Sequence, residues 1–192
     1  DDTDAAERVK IQYGTSMCYP VSSMGSHVSV VPNHQLNRKT PLHTRANVAY
    51  FGTFGYELDL NKLSDEEISE VKQQITFMKE YRELIQFGTF YRLKSPFEGN
   101  ETVWMTVSED KKTALVFWYR ERNVVNADFT RVRLQGLDPD LIYRNEYNET
   151  ENYGDELMNL GLLTTDCTAG EPTSEDEPCT DYESRIYVLT AK

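Results

Sequence analysis

The first four residues, Asp1-Asp2-Thr3-Asp4, place three carboxyl groups within one short stretch. Carboxyls serve general acid or base chemistry when burial or a neighbouring charge shifts one into the working pH range. On composition alone this trio reads as a solvated acidic start, because charge runs usually face water. His27 and His34 are seven residues apart in a loop-like stretch, without a third ligand at useful spacing, so no metal and no cofactor is expected. Neither Cys167 nor Cys179 has His or Asp neighbours arranged for nucleophilic work. Cys167 and Cys179 flank the acidic loop "TAGEPTSEDEP", and a disulfide across it stays open. An odd cysteine count and sparse thiols fit a reducing compartment better. Trp104 and Trp118 suggest either a sugar-stacking platform or a core; aromatics alternating along strands favour the core.

Charge narrows the partners. The 192 residues carry 32 acidic against 20 basic side chains, a formal net charge of −12. Nucleic acid and anionic membrane surfaces are therefore not expected partners. An acidic surface keeps a protein dispersed and suits a neutral substrate such as a sugar. No apolar run approaches the roughly 20 residues of a membrane span. The opening residues have neither a basic n-region nor an apolar h-region. The expectation is a piece of a longer, cytoplasmic, bacterial-type protein rather than a secreted one. "NET" at Asn100 and at Asn148 would matter only on a secretory route.

The elements that must position these residues follow from periodicity. Asp4 and Glu7 form a capping box, with Ala6, Val9 and Tyr13 on one face of the helix that follows and Gly14 as its stop. "SMCYPVSSMG" reads as a mostly buried strand, with Cys18 inside it, and "SHVSVVPNHQLNRKTP" as a loop. "LHTRANVAYFGT" is a short helix and "FGYELDL" a strand. Ser64 and Glu67 cap a long helix with Ile68, Val71, Ile75 and Met78 at helical spacing, ending near Gly88. Helix, strand, helix, strand, helix is the alternation of an α/β sheet or barrel. After Gly88 come "TFYRLK", "TVWMTVS", "TALVFWYR", "TRVRLQG", "LIYRN" and "SRIYVLT", separated by turn signals. These predict an antiparallel β-sandwich over 89–192 beside an α/β part over 1–88. "GDELMNLGL" reads as a turn and strand with Asp155 and Glu156 exposed.

Two or three βα units cannot close a barrel, which needs eight. Here motifs add what periodicity cannot. "DDTDAAERVKIQYGTSMCYP", "MGSHVS", "PNHQ" and "GYELDL" resemble the end of the catalytic barrel of glycoside hydrolase family 36 α-galactosidases. "IQFGTFYRLKSPFEGNETVWMTVSEDKKTALVFWYR" and "YGDELMNLGL" resemble that family's C-terminal sandwich. The resemblance runs in order along nearly the whole chain; only the cysteine-flanked loop departs from it. It implies the last βα units of a (β/α)8 TIM barrel followed by an antiparallel β-sandwich domain. It also implies a retaining hydrolase of terminal α-galactosides such as melibiose and raffinose-type oligosaccharides, without a metal. The family tends to form tetramers, so a homo-oligomer is implied.

In that family the stretch ahead of this helix reads W-T-S-D-x-T-D-A, and the first aspartate after the serine is the general acid/base. The match puts that role on Asp1, with Asp2 as the alternative and Asp4 as a structural cap. The partner nucleophile, an aspartate in a K-W-D motif, has no counterpart in these 192 residues. The resemblance therefore implies that this chain, separated from the missing N-terminal portion, is inactive. His27 follows a barrel strand in this reading and is a candidate for lining the substrate pocket. Arg45 and Glu57 fall on the barrel side, without a readable role. Other outcomes on the same scaffold are an α-N-acetylgalactosaminidase or an α-galactosyl transferase. An outcome of another class is a non-catalytic carbohydrate-binding sandwich.

Overall fold

Asp4 starts the first helix: its Oδ2 accepts the Glu7 N–H at 3.2 Å, and α1 runs Ala5–Thr15. Only half of the expected capping box forms. The Asp4 N–H goes to Asp2 Oδ1 at 2.8 Å, the place Glu7 was expected to take. This computed structural model describes residues 2–124, 128–164 and 181–192, and the chain divides into two units, Asp1–Phe87 and Gly88–Lys192.

In the first unit Ala6, Val9 and Tyr13 are buried as their spacing predicts, and so are Arg8 and Gln12. Gln12 donates its amide to the carbonyls of Val48 and Phe51 at 2.9 and 3.1 Å, tying α1 to the end of α2 (Leu42–Ala49). The strand expected over 16–25 is absent. Residues 16–19 form turns, Val21–Ser23 is a short 3-10 turn, and Met17, Cys18 and Tyr19 are exposed. The strand lies one step further on, inside the stretch read as a loop. β1 (His27–Ser29) pairs in parallel with β2 (Gly55–Glu57), in the register His27↔Gly55, Val28↔Tyr56, Ser29↔Glu57. A strand needs a partner rather than an apolar run, and the Pro20 ring removes one ladder donor from the earlier candidate. The turn from α2 into β2 demands glycine at 52. A Cβ there would lie 2.3 Å from Ser26 Oγ and 2.8 Å from the Met24 carbonyl.

The long helix α3 (Asp65–Phe87) opens with a complete capping box. Ser64 N–H donates to Glu67 Oε2 at 2.9 Å, and Glu67 N–H to Ser64 Oγ at 3.2 Å. Its buried face is Val71, Gln74, Met78 and Ile85, while Ile75 of the expected stripe turns outward. Gln74 is inside because Tyr56 donates its hydroxyl to Gln74 Oε1 at 2.9 Å, and Gln74 donates to Glu70 at 2.8 Å. Burial and the Glu70 charge push the Tyr56 phenol up to about 12. Since Tyr56 points at α3 and Val28 is its register partner, alternation sends His27, Ser29, Gly55 and Glu57 to the opposite face.

The second unit is built on a six-stranded antiparallel sheet. Its strands are β3 (Thr89–Lys94), β4 (Glu101–Val107), β5 (Thr113–Arg120), β7 (Ile142–Asn145), β8 (Glu151–Tyr153) and β10 (Glu183–Ala191). They lie in the order β3-β4-β5-β10-β7-β8. β6 (Arg131–Val132) pairs with β9 (Leu162–Leu163) as a second, two-stranded sheet. Val103, Met105, Val116, Trp118, Tyr187 and Leu189 of the large sheet meet Val132, Leu134, Leu157 and Leu162 in one core. β4 and β5 are buried on both faces after their first residue, which is why their sequences read as near-continuous apolar runs. Of "TRVRLQG" only two residues join a ladder. "GDELMNLGL" contains the helix α4 (Gly154–Asn159) where a turn was expected, followed by β9. Asp155 and Glu156 are exposed, as expected.

Gly154 is the tightest of the described glycines of this unit: an added Cβ would sit 1.9 Å from the Asp138 carbonyl oxygen. The obstacle is backbone and cannot swing aside. Gly154→Ala is expected to destabilise the chain by about 1–3 kcal/mol, read as a lower urea midpoint with an unchanged denaturant slope.

Candidate functional site at the carboxyl end of the parallel strands

The acidic opening segment is anchored residue by residue. Asp2 is half-buried, with its carboxylate accepting the Asp4 N–H. Thr3 Oγ1 accepts from Asn33 Nδ2 at 3.0 Å. Asp4 is only 3% exposed, and besides capping α1 it forms an ion pair with Arg38, which lies 3.9 Å from Glu7. Asn33 and Arg38 belong to the loop that leaves the carboxyl end of β1. That loop folds on itself: Asn33 Oδ1 accepts the N–H groups of Gln35 and Leu36 at 2.9 Å each, and Asn33 N–H donates to the Arg38 carbonyl at 2.8 Å. Asn33 of the "PNHQ" stretch is thus the clamp that holds Thr3.

Arg8 ties the same segment from below. It is 5% exposed; Nε donates to Gln12 Oε1 at 3.4 Å, Nη1 to the Asp2 carbonyl at 3.3 Å, and Nη2 to the Gly25 carbonyl. Burial pushes the guanidinium down from its ordinary value, and the charges of Asp2 and Glu57 oppose that shift. Glu57, the exposed last residue of β2, therefore shares an electrostatic neighbourhood with Asp2. Arg45 is buried, donating from Nη1 to the Ser29 carbonyl at 2.7 Å; burial lowers its pKa against the pull of Glu67 and Glu70. It braces the end of β1 from inside the protein.

The sequence-predicted candidates separate. Asp1, Cys167 and Cys179 lie outside the described residues, and with the cysteines the disulfide question. His27 does not follow a strand; it is the first residue of β1, at the end away from the loop that carries Asn33. Its exposed ring lies over Gly55, and among the described residues no hydrogen bond or ion pair joins it to Asp2. His34 is exposed. Trp104 and Trp118 are each 1% exposed, Trp104 stacked on Phe117 at 4.4 Å, so they are core rather than platform. Arg8, Asn33 and Arg38 were missed. The available signal was a polar stripe, Arg8 and Gln12, beside Val9 on the face of a helix that had to be buried.

A cavity of about 580 Å³ lies in the second unit, lined in part by Lys94, Glu101, Arg120 and Thr130. Both of its lining cations are paired, Lys94 with Glu101 and Arg120 with Glu183, and Glu101 Oε1 accepts from Trp118 Nε1 and Thr130 Oγ1. Among the described residues no group of three or more His, Cys, Asp or Glu side chains could hold a metal ion. No described helix is long and apolar enough to cross a membrane.

Parallel strands backed by helices, with an acidic segment clamped at their carboxyl ends, form the last βα units of a (β/α)8 barrel. The antiparallel two-layer unit after them is its C-terminal β-sandwich. The family model described as Melibiase matches residues 1–88, and that of the glycosyl hydrolase family 36 C-terminal domain matches 101–189. α-Galactosidase AgaA of Geobacillus stearothermophilus is 54% identical over 162 residues, covering 84% of this chain and 22% of that protein. The crystal structure of the family 36 α-galactosidase AgaB from the same organism superposes with a TM-score of 0.91 at 47% identity, covering all of this chain and 25% of that one. An AgaA variant in complex with raffinose gives 0.88 at 47% identity over 99% of this chain and 25% of that one. The chain belongs to glycoside hydrolase family 36, and it spans about a quarter of the length of the relatives it matches.

Asp4 offers a direct test of the clamp. Asp4→Asn keeps an acceptor for the Glu7 N–H but discards the charge facing Arg38; Asp4→Ala discards both. Asp4→Ala is expected to cost about 2 kcal/mol of stability and Asp4→Asn distinctly less, measured by urea unfolding.

Proposed function

We propose that this chain is the C-terminal part of a retaining α-galactosidase that hydrolyses terminal α-galactosides, including melibiose and raffinose-type oligosaccharides. The observation that carries the reading is the D-x-T-D-A segment, Asp1 to Ala5, whose Thr3 and Asp4 are clamped by the loop at the carboxyl end of β1. Barrel active sites lie at that end. Identity near 50% to named α-galactosidases and the raffinose complex of a relative support the substrate class.

In this reading Asp1 is the general acid/base. Asp2 remains the alternative, but its carboxylate already accepts the Asp4 N–H and so serves the turn. Double displacement needs two carboxyls about 5–5.5 Å apart. The nucleophile attacks the anomeric carbon while Asp1 gives its proton to the leaving oxygen. Asp1 then takes a proton from the water that cleaves the glycosyl-enzyme. The route needs no metal or cofactor. The nucleophile belongs to the portion of the barrel ahead of Asp1, so the 192-residue chain by itself is inactive. Residues 1–88 supply the end of the barrel and 89–192 the sandwich, within a homo-oligomer, a tetramer in this reading. In this reading His27, on the face of β1 opposite Val28, lines the substrate pocket.

The test uses the full-length enzyme that carries this segment. Asp1→Ala is expected to lose at least about 100-fold in kcat on melibiose, far less on an aryl galactoside with a good leaving group, with azide restoring turnover. The same pattern in Asp2→Ala would move the role by one residue. Near-wild-type activity in both variants, or robust turnover by the 192-residue chain alone, would sink the reading.

A further inference from the structure

We propose that Arg8 is the positioning residue of the acid/base segment. Its guanidinium ties the Asp2 backbone to the chain entering β1. The inference rests on the reading that Asp1 or Asp2 is the general acid/base.

A helix interior is an unusual place to bury a guanidinium, and desolvating one is costly unless its donors are all used. Arg8 sits one turn into α1, where its fork reaches backbone carbonyls on two separate segments: Asp2 ahead of the helix and Gly25 before β1. Nε is held by Gln12, itself fixed by the carbonyls of Val48 and Phe51. The geometry is that of a strut. The Asp2 carbonyl hangs on the guanidinium, the guanidinium on the strand entry, and the whole on the end of α2. A lysine is a single point donor on a flexible stem and cannot reproduce the fork.

Two variants of the full-length enzyme test the strut. In Arg8→Gln, kcat/KM for melibiose is expected to fall about 10–100-fold, and for an activated aryl galactoside by much less. Arg8→Lys retains the same leaving-group-dependent loss, because one ammonium cannot span both carbonyls. Should Arg8→Gln fail to fold, the leaving-group pattern of Arg8→Lys decides. Equal losses on both substrates would mean a merely structural arginine and would overturn the proposal, as would wild-type behaviour of folded variants. Asp1→Ala and Asp2→Ala are run alongside. If neither shows the leaving-group signature, the acid/base assignment itself is wrong and Arg8 has no carboxyl to position; if one does and the Arg8 variants stay normal, only the Arg8 inference fails.

Discussion

A carboxylate removed from water has to be neutralised or paired, and Asp4 is almost fully buried at the start of α1. Its oxygens serve the Glu7 N–H and Arg38, two partners from different parts of the chain. That requirement pulls the loop after β1 over the leading segment. Once there, Asn33 reaches Thr3, and the Asp4 N–H is left for Asp2. Asp2, Thr3 and Asp4, which composition alone would leave loose in solvent, are each held in place. General acid catalysis depends on such holding, since a carboxyl that wanders by an ångström loses most of its advantage.

The first unit also illustrates how polar groups are used inside a small α/β layer. Arg8, Arg45 and Gln12 are buried, and each donates to a carbonyl at a strand or helix end. Helix faces that would ordinarily be aliphatic instead carry the donors that satisfy chain termini. The second unit follows the opposite rule. Its central strands are buried on both faces, and Lys94 pairs there with Glu101 and Arg120 with Glu183.

Several features were readable in the chain itself. Asp4 as cap, the Ser64–Glu67 box, the alternation of helices and strands before Gly88 and the aromatic strands after it all depend on residues close in sequence. Spacing sufficed to put Trp104 and Trp118 in a core. The motifs carried the family. What spacing could not supply was the partner of each strand: "SMCYPVSSMG" is apolar enough for a strand but joins no ladder among the described residues, whereas three residues of "SHVSVV" meet Gly55–Glu57.

The same division holds for the site. Sequence alone determined which residue types stand ahead of α1, that they are carboxylates, and that one of them must cap the helix, because a helix start leaves N–H groups without partners. Only the tertiary structure decided that Asp2 rather than Glu7 takes the Asp4 N–H. It alone placed His27 at the entry of β1, and only there do Arg8, Asn33 and Arg38 converge on the acidic segment. Those contacts join residues up to 34 positions apart. They follow from which strands pair and which helix faces are buried, and no local pattern encodes either.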